Sequence, residues 1–243
     1  MTNQVAIVQI RGWLQEARRV AVLTGAGISA ESGIPTFRGT GGLWRNFPAE
    51  QLATPEAFAR DPALVWEWYD WRRAVVAEKS PNPGHFALAE MERQHPSVTL
   101  ITQNVDGLHD LAGSASPLKL HGDIWQVRCT QCDYRATNRE VPLTPIPPRC
   151  SCGAVLRPDI VWFGEALPEG VLRNAWAAAQ IADLFLVVGT SALVQPAASL
   201  PRLALERHAR VVEINLEHTP LSRHCDISLR GASGEILPLL LGD

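Results

Sequence analysis

The stretch VAVLTGAGISAESGIPTFRG, residues 20–39, decides the fold of this chain. It begins with four apolar residues, 20–23, which are typical of a strand buried in a parallel sheet. Gly25, Gly27 and Ala30 follow with the spacing G-x-G-x-x-G/A. That spacing is typical of a turn that brings the backbone close to a pyrophosphate and directs a helix N-terminus toward it. A glycine turn of this kind also joins strand to helix without any ligand, so both interpretations stand at this point.

Outside this stretch, short apolar runs alternate with amphipathic segments along most of the chain. Helices are predicted over residues 5–18, 55–78 with a break near Pro62, 85–93, 172–182, 200–208 and 235–241, and strands over 97–102, 118–120, 184–188, 211–214 and 227–229. Alternating strands and helices predict the α/β class, with a doubly wound, Rossmann-like, mostly parallel sheet. A ligand of such a sheet binds beyond the carboxyl ends of the strands.

The bulk composition is that of a globular chain with a sizeable core. Its 243 residues are 46% hydrophobic and 19% charged, with a net charge of −3. A near-neutral, slightly acidic balance offers no electrostatic reason to expect nucleic acid or a membrane surface as a partner. No apolar run approaches the length of a membrane span, and no secretory leader is evident. Because its cysteines are clustered in pairs, we expect a metal site and a reducing, cytoplasmic location.

Four of the five cysteines form two close pairs, Cys129-x2-Cys132 and Cys150-x-Cys152, around a polar, proline-rich segment. Four thiolates close a tetrahedral Zn²⁺ site without an open position, so we predict one structural zinc ion of zinc-ribbon character. The second pair is tighter than the usual ribbon spacing. A nucleic-acid-binding ribbon is the alternative, but residues 133–149 contain only three arginines, too few to favour it.

The glycine stretch belongs to a longer and more specific pattern. Residues 25–38 resemble the NAD-binding signature of the sirtuins, the NAD-dependent protein-lysine deacylases. The segment QNVDGLH, residues 103–109, resembles the second motif of that family, and His121-Gly122 follows it. The resemblance runs from about residue 20 to residue 237. An ordinary dehydrogenase would instead have an acidic ribose-binding residue after a second strand, and residues 31–51 contain no such strand.

The resemblance implies one catalytic domain over residues 1–243. Its large Rossmann-like part comprises about 1–45, 84–125 and 166–243. A smaller zinc-ribbon and helical domain is inserted, comprising 46–83 and 126–165.

The resemblance also implies site residues at several strand ends. His121 is the expected general base, and its near-neutral intrinsic pKa suits removing a proton from a ribose hydroxyl. Asn104 is the second expected catalytic residue, although Asn104 or Asp106 could also simply cap the next helix. His85 and His109 are competing histidines to which the family assigns no such role. The implied NAD contacts are Gly25, Ala26, Gly27, Ala30, Glu31, Pro35, Thr36, Phe37, Arg38, Trp44, Gln103, Asn104, Asp106, Gly189, Thr190, Ser191, Asn215, Leu216, Glu217 and Ser233.

The substrate side is implied by two further segments. The loop RPDIVWFGE, residues 157–165, resembles the sirtuin loop that pairs with an extended peptide, and its matched positions are Val161, Phe163, Gly164 and Glu165. Ala53, Tyr69 and Arg72 resemble the class III sirtuins, which remove acidic acyl groups. Ala53 leaves room for a longer acyl chain, while Tyr69 and Arg72 can hydrogen-bond a distal carboxylate. The alternative is a surface arginine beside a half-buried tyrosine on an amphipathic helix.

The expected function is therefore NAD-dependent removal of succinyl- or malonyl-type groups, and of acetyl groups, from the lysines of acylated proteins or peptides. Nicotinamide, O-acyl-ADP-ribose and free lysine are the implied products. Four alternatives remain open: an enzyme that is mainly a deacetylase, a mono-ADP-ribosyltransferase using the same NAD site, a nicotinamide-dependent oxidoreductase, and a non-catalytic NAD-binding module with zinc. Asn104, Asp106 and His121 argue against the last two.

Overall fold

The computed structural model describes residues 3–36 and 52–242. Its large sheet has six strands in the order β3-β2-β1-β7-β8-β9, and all the paired strands are parallel. The strands are β1 Val20–Thr24, β2 Val98–Thr102, β3 Leu118–Lys119, β7 Leu184–Val188, β8 Arg210–Asn215 and β9 Ile227–Arg230.

Helices cover both faces of this sheet. They are α1 Asn3–Glu16, α2 Ala26–Ala30, α5 Pro83–Gln94, α6 Leu108–Leu111, α7 Glu169–Ile181, α8 Leu200–Glu206 and α9 Ser233–Leu241. Val20 and Val22 of β1 pack in the apolar cluster that contains residues of α1, α5 and α9, whereas Ala21 and Leu23 pack in the cluster formed with α7 and α8. Every residue of β1 and of β7 is buried, as expected for central strands of a parallel sheet with helices on both faces. The predicted doubly wound fold is confirmed.

A second, smaller sheet is antiparallel, with the order β5-β4-β6. Its strands are β4 Gly122–Cys129, β5 Arg135–Thr137 and β6 Leu156–Ile160. It shares an apolar cluster with α3 Pro55–Arg60 and α4 Pro62–Ala77, through side chains such as Phe58, Trp66 and Trp125. These three strands were not predicted, because the segment around the cysteines has no clear apolar alternation.

The helical boundaries follow from capping chemistry. The predicted break near Pro62 is present, because Pro62 starts α4 and the Asp61 carboxylate accepts a hydrogen bond from Leu64 N at 3.0 Å. The helix expected from residue 85 starts at Pro83, where the Asn82 side chain accepts from Gly84 N and His85 N. The helix expected from residue 172 starts at Glu169. Over the described residues, no helix is both long and apolar enough to span a bilayer.

Candidate active site

The carboxyl ends of β1 and β7 meet in two glycine turns that touch each other. Gly25 N donates to Val188 O at 3.0 Å, and Gly27 N donates to Gly189 O at 2.7 Å. A Cβ on Gly27 would lie only 2.7 Å from the Gly189 Cα, and Gly189 itself has a φ of 59°. Both positions therefore require glycine, because any side chain would push the two turns apart. The result is a bare backbone surface at the end of the sheet where an α/β fold binds its ligand.

Polar side chains from the neighbouring strands join this turn. Gln103 Nε2 donates to Thr190 Oγ1 at 2.9 Å, and Asn104 Nδ2 donates to Gly25 O at 3.1 Å. Asn215, at the end of β8, donates from Nδ2 to Thr190 O at 3.1 Å. The structure thus brings together predicted NAD contacts from four separate strand ends, β1, β2, β7 and β8.

His121 lies just beyond β3, where its ring faces the end of β2. Its Nδ1 is 2.9 Å from the carbonyl oxygen of Gln103. A carbonyl oxygen can only accept, so Nδ1 carries the proton and Nε2 presents a lone pair. Burial lowers the pKa of His121, and the hydrogen bond to Gln103 only partly opposes that shift. The ring is therefore neutral near pH 7, which is the state a general base needs.

Asp106 is held in a buried hydrogen-bond network at the start of α6. Its Oδ1 accepts from Leu108 N at 2.9 Å, and its Oδ2 accepts from the Ser29 hydroxyl at 2.8 Å. Asn104 Nδ2 also donates to Ser29 Oγ, at 3.1 Å. Burial raises the pKa of Asp106, and the hydrogen bonds from Leu108 and Ser29 work against that rise. The helix-start contact anticipated as an alternative for Asp106 is therefore present, and it leaves the carboxylate engaged within the protein.

The two competing histidines are buried next to this network. The rings of His85 and His109 are buried with their centroids 4.9 Å apart. Burial lowers the pKa of His85 to about 3 and that of His109 to about 4. Both stay neutral at physiological pH, so neither can exchange protons there. Their contacts, which no sequence pattern predicted, are His85 Nε2 to Ser29 Oγ at 3.4 Å and His109 Nε2 to Thr24 Oγ1 at 3.0 Å.

The helix that follows the last sheet strand is also connected to the glycine stretch. The Glu31 carboxylate accepts from Ser233 Oγ at 3.1 Å and from Gly234 N at 2.7 Å, at the start of α9. Two predicted NAD contacts, Glu31 and Ser233, are thus bonded to each other. Of the other predicted contacts, Pro35 and Thr36 end the first described segment, whereas Phe37, Arg38 and Trp44 lie outside the described residues.

The four paired cysteines converge at one end of the small sheet. All four Sγ atoms lie within 4.8 Å of one another, with Cys129 to Cys152 at 3.5 Å and Cys132 to Cys150 at 3.7 Å. Four thiolates around Zn²⁺ at the usual bond length would be about 3.8 Å apart. The tight second pair therefore does not prevent a tetrahedral arrangement, and the cysteines are positioned to bind one structural zinc ion. Such a closed site offers no coordination position for a substrate.

The predicted substrate residues lie where α4 packs on the segment after β6. The Tyr69 hydroxyl oxygen accepts from Trp162 Nε1 at 2.9 Å, and Ala53 O accepts from Phe163 N at 3.0 Å. The Arg72 guanidinium lies 4.8 Å from the Trp68 ring centroid and 5.4 Å from that of Tyr69. Tyr69 is fully buried, in contrast to the half-buried surface tyrosine of the alternative interpretation.

The predicted peptide loop is attached to the rest of the site by its own hydrogen bonds. Val161 N donates to His121 O at 2.9 Å, which connects the loop to the expected general base. The Glu165 carboxylate accepts from Arg157 Nη1 at 2.6 Å, from Arg157 Nη2 at 2.9 Å and from Trp162 N at 2.8 Å. Glu165 therefore stabilises the conformation of the loop through these hydrogen bonds. Phe163, in the same loop, is 44% exposed.

These features define an α/β protein whose glycine-rich strand ends lie beside an inserted module with a cysteine metal site. The chain belongs to the Sir2 family, whose model matches residues 25–196. This confirms the family predicted from the glycine stretch and the QNVDGLH segment.

Curated relatives are similar over nearly their whole length. The chain is 60% identical over 211 residues to NAD-dependent protein deacylase 1 of Caldanaerobacter subterraneus subsp. tengcongensis, covering 86% of this chain and 87% of that protein. It is 53% identical over 229 residues to NAD-dependent protein deacylase 2 of Pyrobaculum aerophilum, covering 94% and 92%.

Solved structures are similar as well. A complex of a Sir2 homolog with NAD matches with a TM-score of 0.90 and 48% identity, covering 96% of this chain and 92% of that one. A Sir2 variant with a deacetylated peptide and 3′-O-acetyl-ADP-ribose matches with a TM-score of 0.85 and 31% identity, covering 97% of each chain.

Proposed function

We propose that this chain is an NAD-dependent protein-lysine deacylase in which His121 is the general base. The observation that carries this proposal is the bond of His121 Nδ1 to Gln103 O, which leaves Nε2 with a free lone pair. The side chain of the same Gln103 donates to Thr190, next to Gly189. The relatives named above, which share most of their length with this chain, support deacylation as the activity. The NAD complex of a structural neighbour supports the cofactor.

The residues present fit a dinucleotide. At Gly25, Gly27 and Gly189 a Cβ would clash with the facing turn, so the two turns can meet closely at the carboxyl ends of β1 and β7. The N-terminus of α2 lies at this contact and favours negative charge. Bound NAD supplies an electrophilic ribose carbon and nicotinamide as the leaving group.

The protein's own contribution is orientation and proton transfer. Asn104 is held by Gly25 O and Ser29 Oγ, so its amide group has a defined direction. Neutral His121 can accept a ribose hydroxyl proton at Nε2 while Gln103 O stabilises the cation that forms. We expect His121→Ala to lower kcat by roughly 10²- to 10⁴-fold, measured by the release of nicotinamide and of free lysine.

Within this activity, we propose that the enzyme prefers acyl groups that end in a carboxylate. Among the described residues, Arg72 forms no ion pair with an acidic side chain within 4 Å. Burial lowers the pKa of Arg72, and Tyr69 and Asp106 oppose that shift. Tyr69 is also a hydrogen-bond partner of Arg72, and a distal acyl carboxylate would add a negatively charged one.

Tyr69 supports the same preference. Its oxygen already accepts the Trp162 N–H, so its own O–H remains available to donate. A carboxylate bound between Arg72 and Tyr69 could therefore receive charge-assisted hydrogen bonds from both side chains. Hydrogen bonds to a charged group contribute about 1.5–3 kcal/mol, or roughly a 10- to 150-fold preference over an acetyl group.

The test is kcat/KM on one lysine peptide that carries either an acetyl or a succinyl group, for the wild type and Arg72→Met. We expect the wild type to prefer succinyl, and the variant to lose about 10- to 100-fold on succinyl while keeping most acetyl activity. Arg60→Met, at the exposed end of α3, is the matched control and should change neither rate.

Two results would contradict these proposals at different levels. Equal loss of both activities in Arg72→Met would mean that Arg72 has a structural role, and the acidic-acyl preference would be wrong. A wild type that deacylates neither peptide would remove the deacylase proposal itself.

A further inference from the structure

A glutamate lies in the middle of an otherwise apolar buried strand. Glu213 of β8 is completely buried between the apolar residues Val212 and Ile214. A carboxylate at such a position is costly unless it is fully hydrogen-bonded and paired. Neither the predicted catalytic residues nor the predicted cofactor contacts include it, so its presence calls for a separate explanation.

The carboxylate of Glu213 is satisfied by four partners. Its Oε1 accepts from the Thr219 hydroxyl. Its Oε2 accepts from Ser222 Oγ at 2.5 Å, Ser228 Oγ at 2.6 Å and Arg230 Nη2 at 2.6 Å. Burial alone would raise the pKa of Glu213, but these hydrogen bonds outweigh it and hold the pKa below its ordinary value. The Glu213 carboxylate therefore remains ionised at neutral pH.

Arg230 extends from this pair to the backbone that follows β8. Its Nη1 donates to Glu217 O at 2.8 Å and to Asn215 O at 3.3 Å, and its Nη2 also donates to Ser222 Oγ at 3.0 Å. A single guanidinium thus holds two carbonyl groups of the segment 215–217. Asn215, Leu216 and Glu217 are all predicted NAD contacts, and Asn215 Nδ2 also donates to Thr190 O at the end of β7.

Glu213 and Arg230 both bind the connection between β8 and β9. Thr219 and Ser222, which bind the carboxylate, belong to the same connection between β8 and β9 that Arg230 binds through its carbonyls. The buried charge therefore anchors the connection at several points along its length. A loop that is already ordered loses less conformational entropy when a ligand binds to it.

We propose that Glu213 and Arg230 are positioning residues for the dinucleotide at the carboxyl end of β8. They act by fixing the backbone of residues 215–217 rather than by touching the ligand. The proposal rests on the proposed NAD site. Neither Glu213 nor Arg230 is among the NAD contacts predicted from the sequence.

The test measures ADP-ribose binding by calorimetry, together with KM for NAD and KM for the acylated peptide. The variants are Glu213→Gln, which removes the charge, and Arg230→Lys, which keeps the charge but loses the forked donors. We expect the dissociation constant of ADP-ribose and KM for NAD to rise on the order of 10-fold in both variants. KM for the peptide should change little.

The matched control lies at the opposite edge of the same sheet. The Asp183 carboxylate accepts from Arg18 N and Arg19 N, both at 2.9 Å, at the amino ends of the strands. Asp183→Asn should lower the melting temperature without changing ADP-ribose binding. This separates a general loss of stability from a loss of loop positioning.

The possible outcomes are distinct. If Arg230→Lys or Glu213→Gln folds with a lower melting temperature but binds ADP-ribose like the wild type, the network only stabilises the fold and the proposal is wrong. If Glu213→Gln does not fold, Arg230→Lys alone decides between these results. A wild type that does not bind ADP-ribose overturns the proposed function, and this inference with it.

Discussion

The two sheets of this protein are stabilised in different ways. The six-stranded sheet is parallel and buried on both faces, with apolar clusters that include Val22, Leu186 and Val212 on one side and Leu23 and Phe185 on the other. The three-stranded sheet is antiparallel, and most of residues 130–140, which follow Cys129 and include β5, are exposed. Burial of apolar area holds the first sheet, whereas we expect the second to need its cysteine metal site in addition to a shared helical cluster.

This difference matters for function because the site draws on both regions. The glycine turns and His121 lie at the edge of the rigid sheet, where parallel strands give reproducible positions. The predicted acyl and peptide residues Ala53, Tyr69 and Val161 lie in or beside the smaller region. We therefore expect perturbations of the two regions to have separable effects on cofactor binding and on substrate binding.

Loss of the zinc site should have the largest effect. Cys132→Ala should reduce bound zinc from one equivalent to almost none and lower deacylase activity by more than about 100-fold, because structural zinc contributes on the order of 10 kcal/mol to folding of a small module. Circular dichroism should retain most of its helical signal, because the large sheet and its helices do not depend on the metal.

Cys225→Ala is the control for this variant. Cys225 is the one cysteine outside the cluster and packs partly against the core of the large region, so zinc content should be unchanged. Full activity in a zinc-free Cys132→Ala protein would show that the smaller region does not need its metal, and the contrast between the two sheets would fail.

Acid should weaken the large region through its buried histidines. The folded-state pKa values of His85 and His109, about 3 and about 4, lie below the unfolded value of about 6.5. The free energy of unfolding is therefore unaffected by these histidines above pH 6.5. It decreases as the pH falls below that value, because the unfolded chain then binds protons that the folded chain excludes. Each histidine should cost about 2 kcal/mol of unfolding free energy by pH 5.

Urea denaturation between pH 7 and pH 5 measures this loss. His109→Gln should reduce the slope of the unfolding free energy against pH by about half of the histidine contribution. Zinc content should be followed in the same samples, so that unfolding of the large region is distinguished from metal release. A slope that His109→Gln leaves unchanged would mean that the buried pair does not control the acid response.

The smallest effect is expected from a helix cap in the smaller region. Asp61→Ala removes the acceptor for Leu64 N at the start of α4 and should lower stability by about 1 kcal/mol. Asn82→Ala, at the cap of α5, should cost more, because Asn82 also donates to Ile28 O at 2.7 Å and to Ser32 Oγ at 3.0 Å. Equal losses would mean that the buried contacts of Asn82 add nothing to its capping role. Thermal unfolding of both variants makes the comparison.

The elements that the sequence predicted correctly are those marked by a pattern of a few neighbouring residues. The large sheet was predictable because its strands are short apolar runs bounded by turn residues, and the helix break near Pro62 was predictable because proline marks it. The helix predicted from residue 85 begins earlier, at Pro83, because the Asn82 side chain caps it. The small sheet was not, since β4 pairs with β6 across a long polar segment, as in Gly122 opposite Ile160. That pairing depends on the metal site and on helices from an earlier part of the chain.

The chain by itself thus determined the parallel sheet, the glycine turn, the four zinc ligands and the family, because each is encoded in spacing over a few residues. Only the tertiary structure decided which groups are neutral, paired or fixed. Ser29 meets Asp106, Glu213 meets Arg230 and Tyr69 meets Trp162 across 77, 17 and 93 residues. Such contacts follow from strand order and packing, which no local pattern specifies, and they set the pKa values and orientations on which the proposed chemistry depends.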